Sequence, residues 1–286
     1  MTRPFTIEQG VFYITNVCNL TCTYCETYNN RNFKGHYSWE DYKDHWIEWS
    51  NKLTIDFITI IGGEPFANPD LKNWVYGIKE YWPDCDNFNI CTNGTFLKDN
   101  IELSREILDQ NIWLDISIHD PATYNDIKES LEEILAIYNY TITIDNQKLS
   151  YWVAGREVAR LYSAYVFHKN SQRYIRHGIT YMHRSNPEKA HDLCIGKLGH
   201  CHFFVKGSLY KCYLTAVSQD LVSQFAIDDE SHSLLKSYTA ASAFDSYENI
   251  DLFLQTVRNP IKQCTLCPDY HSDVPIWPLS KKKLKL

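Results

Sequence analysis

Short runs rich in β-branched and aromatic residues alternate, through the first half of the chain, with longer stretches whose apolar residues recur every three or four positions. The runs predict strands at Val11–Val17, Ile55–Ile60, Asn87–Cys91, Trp113–Ile118 and Tyr140–Ile144. The stretches between them predict helices at Ser38–Asn51, Asn68–Tyr81, Asp99–Gln110 and Thr123–Tyr138. Ser38 followed by Asp41 reads as an N-cap that sets Tyr42, Trp46 and Trp49 on one helix face. Strand and helix in strict alternation imply βα units around a parallel sheet, a (β/α) barrel pattern. The pattern blurs from Lys148 to Ser185, where Tyr151–Val153, Leu161–His168 and Tyr174–Tyr181 are expected to supply the last barrel strands.

Composition narrows the classes. Of 286 residues, 44% are hydrophobic and 22% charged, the balance of a globular protein, and 20 Tyr, 13 Phe and 8 Trp provide many stacking surfaces. A net charge of -7 argues against a broadly basic, nucleic-acid-binding surface. The basic run Lys281–Lys285 reads as a solvated tail. There is no apolar stretch long enough to span a bilayer and no apolar core of a signal peptide at the start, so a cytoplasmic protein is expected. The 10 cysteines are clustered unevenly, which in a reducing compartment points to metal or cluster ligation.

The first group is Cys18, Cys22 and Cys25, directly after the first predicted strand. Three thiolates on one short loop can hold three irons of a [4Fe-4S] cube and leave the fourth iron open to a small ligand, whereas a structural zinc site would need a fourth ligand from elsewhere. Gly62-Gly63-Glu64-Pro65 follows the second strand: glycines let a backbone come close to a ligand, and a carboxylate can accept from an ammonium. Thr92-Asn93-Gly94 follows the third strand, and Ser117 closes the fourth.

This CxxxCxxC loop, with aromatic Tyr24 before its last cysteine, closely resembles the signature of the radical S-adenosylmethionine (radical SAM) superfamily. The resemblance implies a partial (β/α)6 TIM-like barrel, with the cluster on Cys18, Cys22 and Cys25 as the catalytic centre. It further implies that S-adenosylmethionine chelates the open iron and is split to a 5′-deoxyadenosyl radical. Tyr24, Gly62, Gly63, Glu64, Pro65, Thr92, Asn93 and Ser117 then become the cofactor-binding residues. His119-Asp120 departs from the family, where Asp-Gly is usual, and makes His119 a structural residue or a substrate contact.

The second group is Cys194, Cys201, Cys212, Cys264 and Cys267. Twelve residues separate Cys194 from Gly207 and four separate Gly207 from Cys212, a spacing that resembles the hairpin opening the SPASM and twitch auxiliary-cluster domains. Phe203–Lys206 and Leu209–Tyr213 read as its strands, turning at Gly207-Ser208. Four of the five thiols would hold a second [4Fe-4S] cluster, Cys194 being preferred over Cys201; a four-cysteine zinc ribbon stays open beside it. Cys85 and Cys91 read as ordinary buried thiols. The expected organisation is a barrel over 1–185, a small cysteine-rich auxiliary domain over 186–271 and an extended basic tail over 272–286.

The function this implies is hydrogen abstraction from a substrate, with oxidative modification of a peptide or protein preferred and a nucleotide, sugar or other small molecule as the alternative. A reducing partner such as flavodoxin or ferredoxin is implied, and no membrane. The alternative from another class is a non-catalytic iron-sulfur or zinc protein that carries electrons or scaffolds a partner.

Overall fold

The computed structural model describes residues 3–22, 25, 27–145, 148–163, 172–194 and 201–270. The four predicted βα units are present: β1 (Phe5–Tyr13), α1 (Lys43–Lys52), β2 (Leu53–Ile61), α2 (Leu71–Tyr81), β3 (Asn87–Thr92), α3 (Ile101–Asp109), β4 (Trp113–Ile118) and α4 (Tyr124–Leu135). Then come β5 (Tyr140–Asp145), β6 (Lys148–Val153), β7 (Arg156–Ser163), β8 (Gln172–Arg176), β9 (Ile179–Met182) and α5 (Pro187–Asp192). The chain continues through β10 (Cys201–Val205), β11 (Ser208–Tyr210), α6 (Tyr213–Gln224), α7 (Asp229–Lys236), β12 (Ala241–Ser242) and α8 (Tyr247–Leu254).

One ten-stranded sheet runs in the order β12-β11-β10-β1-β2-β3-β4-β7-β6-β5, and β8 and β9 pair separately. Six neighbours, β10-β1-β2-β3-β4-β7, are mutually parallel, and antiparallel strands flank them on both edges. This is the α/β architecture of a partial, open TIM-like barrel.

Two strand assignments are corrected. Tyr140–Asp145 pairs antiparallel with β6 at the sheet's rim, and β7 takes the place beside β4 that the alternation had reserved for it. The exposed face of β5 explains why: its residues from Thr141 to Asp145 are all exposed, whereas Val158, Ala159 and Leu161 of β7 are buried. Tyr174–Tyr181, expected among the last barrel strands, falls in the separate β8–β9 pair, and β10 takes the parallel place beside β1, Gln9 beside Cys201 and Phe12 beside Phe204. The β10–β11 turn is centred on Lys206-Gly207, both at positive φ (50° and 76°), one residue earlier than expected.

The helix-facing side of the sheet is apolar. Phe12, Ile58, Ile60, Ile90, Leu114, Ile116 and Phe204 are essentially inaccessible there. Trp46, Trp74 and Trp82 close over Phe12 with ring centroids 5.7, 6.4 and 5.5 Å away. Tight packing replaces the Ser38 cap: Trp39 N donates to Asp70 Oδ2 (2.6 Å), a short 3-10 turn at Glu40–Tyr42 precedes α1, and no side chain caps that helix. The opposite face is polar. Across it the register sets Gln9 beside Phe57, Asn89 beside Trp113, Asp115 beside Arg160 and Ser117 beside Tyr162.

Candidate active site at the carboxyl ends of the parallel strands

The loop leaving β1 is fastened to the turn leaving β2 by backbone bonds: Gly63 N donates to Thr15 O (2.7 Å) and Glu64 N to Val17 O (2.8 Å). A Cβ on Gly63 would stand 2.2 Å from Val17 O and 2.9 Å from Cys18 Cβ, and one on Gly62 would stand 2.7 Å from Thr15 O. The glycines therefore admit the cysteine loop itself, a closer neighbour than the ligand their sequence pattern brings to mind.

Glu64 is wholly buried. Its Oε1 accepts from Thr92 Oγ1 (2.6 Å) and Phe66 N (3.1 Å), and its Oε2 accepts from Asn93 N (2.8 Å). Burial pushes its carboxyl up to about 7, against the lowering effect of these three donors. The carboxylate thus holds the Thr92-Asn93-Gly94 turn, and Pro65 starts the buried 3-10 turn that follows it. Asn93 in turn reaches the cysteine loop: its Nδ2 donates to Asn19 Oδ1 (3.0 Å) and lies 3.8 Å from Cys18 Sγ, while Asn19 Nδ2 donates to Thr95 Oγ1 (2.7 Å).

From β4, Ser117 Oγ lies 3.0 Å from His119 Nε2, and His119 Nδ1 lies 3.4 Å from Cys22 Sγ. Burial pushes the His119 imidazolium down to about 4, so the ring is neutral at physiological pH and one nitrogen can accept. The residue that departs from the family pattern is thus the one the fold sets against Cys22.

Beneath the loop, Cys25 Sγ donates to Asn29 Oδ1 (3.5 Å). Asn29 donates to the Asn16 carbonyl, and Tyr13 Oη donates to Asn16 Oδ1 (2.8 Å). Asn16 Nδ2 donates to Tyr37 Oη (2.9 Å), whose hydroxyl bonds Asp220 of α6, itself paired with Lys206 (2.6 Å). Asn19, Asn29 and Asp220 carry no periodic or spacing signal, and their part in supporting the cysteines is visible only in the folded chain.

Burial raises the Cys18 thiol, and the charges of Glu64, Cys25 and Cys22 raise it further; Cys22 is pushed up to about 12 by burial and by Cys25. Cys18 and Cys22, whose ionisation is disfavoured, form with Cys25 a donor set completed by a positively charged group that takes sulfur as thiolate. Among the described residues no three His, Cys, Asp or Glu side chains converge as ligands of a single metal ion. A four-iron cube takes each thiolate on a different iron, and the three-cysteine loop fits that group. Tyr24 lies outside the described residues.

Cys194, Cys212, Cys264 and Cys267 line a small cavity of about 30 Å3 together with His191, Lys211 and Ile261. Cys201 does not line it: its thiol donates to Gln9 Oε1 (2.8 Å) across the sheet. Burial and the charge of Cys194 push Cys201 up to about 11, and burial, Cys194 and Cys264 do the same to Cys212. Buried Lys211 donates to the carbonyls of Thr256 and Asn259 and sits 3.5 Å from His191 Nε2. Tyr28, fully buried and at φ 63°, is raised well above its ordinary value by burial and by the charges of Cys267, Cys212 and Cys25, so it stands between the two cysteine groups.

The open parallel α/β barrel thus gathers a three-cysteine loop and polar turns at its carboxyl strand ends, where βα barrels keep their active sites. Residues 12–148 match the family model described as Radical SAM superfamily. Residues 12–148 thus carry a radical SAM domain, the domain of a superfamily whose members use a [4Fe-4S] cluster and S-adenosylmethionine. No curated protein sequence matches it.

Among solved structures, Streptococcus suis SuiB bound to S-adenosylmethionine is similar over 90% of this chain and 68% of its own, at 13% identity and a TM-score of 0.40. SuiB bound to precursor peptide SuiA is similar over 47% of this chain and 37% of its own (16% identity, TM-score 0.28). Native anSMEcpe with bound AdoMet and Cp18Cys peptide is similar over 46% and 40% (14% identity, TM-score 0.35). The matched regions thus span well under half of the SuiB–SuiA and anSMEcpe chains. No helix among the described residues is long and apolar enough to cross a membrane.

Proposed function

We propose that the chain holds a [4Fe-4S] cluster on Cys18, Cys22 and Cys25, cleaves S-adenosylmethionine there, and abstracts hydrogen from a peptide or protein that is thereby oxidatively modified. The observation that carries this reading is the fastening of the cysteine loop to both the Gly-Gly-Glu-Pro and Thr-Asn-Gly turns, through Gly63, Glu64 and the Asn19–Asn93 pair. An electron carrier needs its cluster ligands but has no use for two such turns at adjacent strand ends. When bound, the cluster supplies the electron that splits the sulfonium to a 5′-deoxyadenosyl radical.

The chain's own residues orient and enclose. Gly62, Gly63, Glu64 and Pro65 frame the methionine end of S-adenosylmethionine, with Glu64 holding Thr92 and Asn93 in place for it. The family resemblance assigns Tyr24 to the adenine, and Ser117 is proposed for the ribose or methionine end. His119, neutral and 3.4 Å from Cys22, steadies that ligand. Cys194, Cys212, Cys264 and Cys267 would hold an auxiliary cluster, which would supply an acceptor for the surplus electron of a net oxidation, and flavodoxin or ferredoxin would be the source of the first electron.

The test is anaerobic reconstitution followed by dithionite and S-adenosylmethionine. Formation of 5′-deoxyadenosine, increased by a peptide substrate, supports the reading. An intact cluster on the first loop with no cleavage favours the electron carrier, and stimulation by a nucleotide or sugar in place of a peptide moves the substrate to small molecules.

A further inference from the structure

The three sulfurs of the first loop stand in different surroundings. Cys18 Sγ accepts from Leu20 N (3.4 Å) on its own loop, and Cys25 Sγ lies against Thr27 Oγ1 (3.4 Å) and Asn29 Oδ1 (3.5 Å) of the segment that follows. The group set against Cys22 comes from another strand. His119, one residue past the end of β4, puts Nδ1 3.4 Å from Cys22 Sγ across 97 positions of sequence.

The chemistry of the two partners fixes the direction of that contact. A cysteine bound to iron is a thiolate and has no proton to give. A bare Nδ1 facing it would set lone pair against lone pair, so Nδ1 must carry the proton and point it at sulfur. In the neutral ring Nε2 is then the acceptor, and Ser117 Oγ, 3.0 Å from Nε2 and 3.5 Å from the Thr92 carbonyl, donates to it. The imidazolium also carries a proton on Nδ1, so the bond to sulfur keeps its direction whatever the charge of the ring.

Aspartate, usual at this place in the family that the loop resembles, offers acceptors alone when ionised and would set a carboxylate beside the thiolate. Histidine puts a donor there instead. We propose that His119 is a positioning residue that tunes the first cluster through Cys22: its Nδ1–H, oriented by Ser117, donates to Cys22 Sγ and raises the cluster's reduction potential. This rests on the cluster reading of the first loop and deepens it. Reduction adds negative charge that the cysteine sulfurs share, and a donor on one of them stabilises the reduced form more than the oxidised form. The ring thereby eases reduction by the partner protein.

The experiment is a redox titration of the anaerobically reconstituted holoprotein followed by electron paramagnetic resonance, the first-loop signal being assigned by its absence from Cys18→Ala protein. His119→Leu removes the donor and should make reduction about ten-fold less favourable, a fall of about 59 mV for one electron. His119→Asn carries an N–H at the depth of Nδ1 and should recover most of that fall. With the histidine nitrogens isotopically labelled, pulsed electron paramagnetic resonance of the reduced first cluster should show a histidine-nitrogen coupling that both variants lack. That coupling, read in the parent protein and lost in His119→Asn, decides the matter if His119→Leu does not hold its cluster. An unchanged potential in His119→Leu with full iron, equal potentials in the leucine and asparagine variants, or a parent protein without the coupling would each overturn the proposal. Absence of iron from the first loop of the parent protein would instead overturn the cluster reading, and this inference with it.

Discussion

Gly63→Ala is the sharpest test of how the cysteine loop is held. The added methyl would lie 2.2 Å from Val17 O, 2.5 Å from Val17 C and 2.9 Å from Cys18 Cβ, roughly 1 Å short of ordinary contact with backbone that has no free rotamer. Relief requires the loop to move away, which breaks the Gly63 N–Thr15 O and Glu64 N–Val17 O bonds that set its height above the sheet. Overpacking costs about 1–3 kcal/mol and the two lost bonds about 1 kcal/mol each, so a destabilisation of about 3–5 kcal/mol is expected. The assay is chemical denaturation of the apoprotein, together with iron and sulfide counts after reconstitution. Iron at the first loop should be lost while iron at Cys194, Cys212, Cys264 and Cys267 is retained. Gly155→Ala, where nothing lies within 4 Å of the new methyl, controls for the substitution and should cost only the strain of its positive φ, about 1 kcal/mol. A Gly63→Ala protein with full iron and stability within about 0.5 kcal/mol of the parent would refute the packing argument.

Glu64 makes the apoprotein pH-sensitive. Its folded value, about 7, is raised above the model-peptide range, so its contribution is fully present below about pH 4 and is lost as pH rises toward 7; in Glu64→Gln the pH dependence of unfolding over this window should flatten. Cys194→Ala should abolish iron at the second group, whereas Cys201→Ala, whose thiol bonds Gln9, should keep it; iron counts separate the two. Tyr37→Phe removes the hydroxyl between Asn16 and Asp220 and should destabilise the fold by about 1–3 kcal/mol in urea titrations. His119→Ala should leave the strands intact, by far-UV circular dichroism, and alter the electron paramagnetic resonance line shape of the reduced first cluster, because it removes the ring 3.4 Å from Cys22.

Several of these expectations were within reach of the sequence and several were not. The spacing of Cys18, Cys22 and Cys25 and the placing of Gly62, Asn93 and Ser117 at strand ends are local facts, readable because chemistry repeats over a few residues. Glu64 shows the limit. Its residue type and position are evident, yet the donors that hold it come from Thr92 and Asn93, nearly thirty residues away.

The chain alone therefore determined the alternating strands and helices of the first half, because apolar periodicity there records the face each element buries. It also determined that three thiols share one short loop. Periodicity carries no record of which strand lies beside which, and only the folded structure seated β10 against β1, sent β5 to the rim and gave the Cys201 thiol its hydrogen bond to Gln9. Those outcomes, the strand order and the Cys201–Gln9 bond, depend on packing between surfaces far apart in sequence. The same holds for His119 and Cys22, 97 positions apart in the chain and 3.4 Å apart at the site.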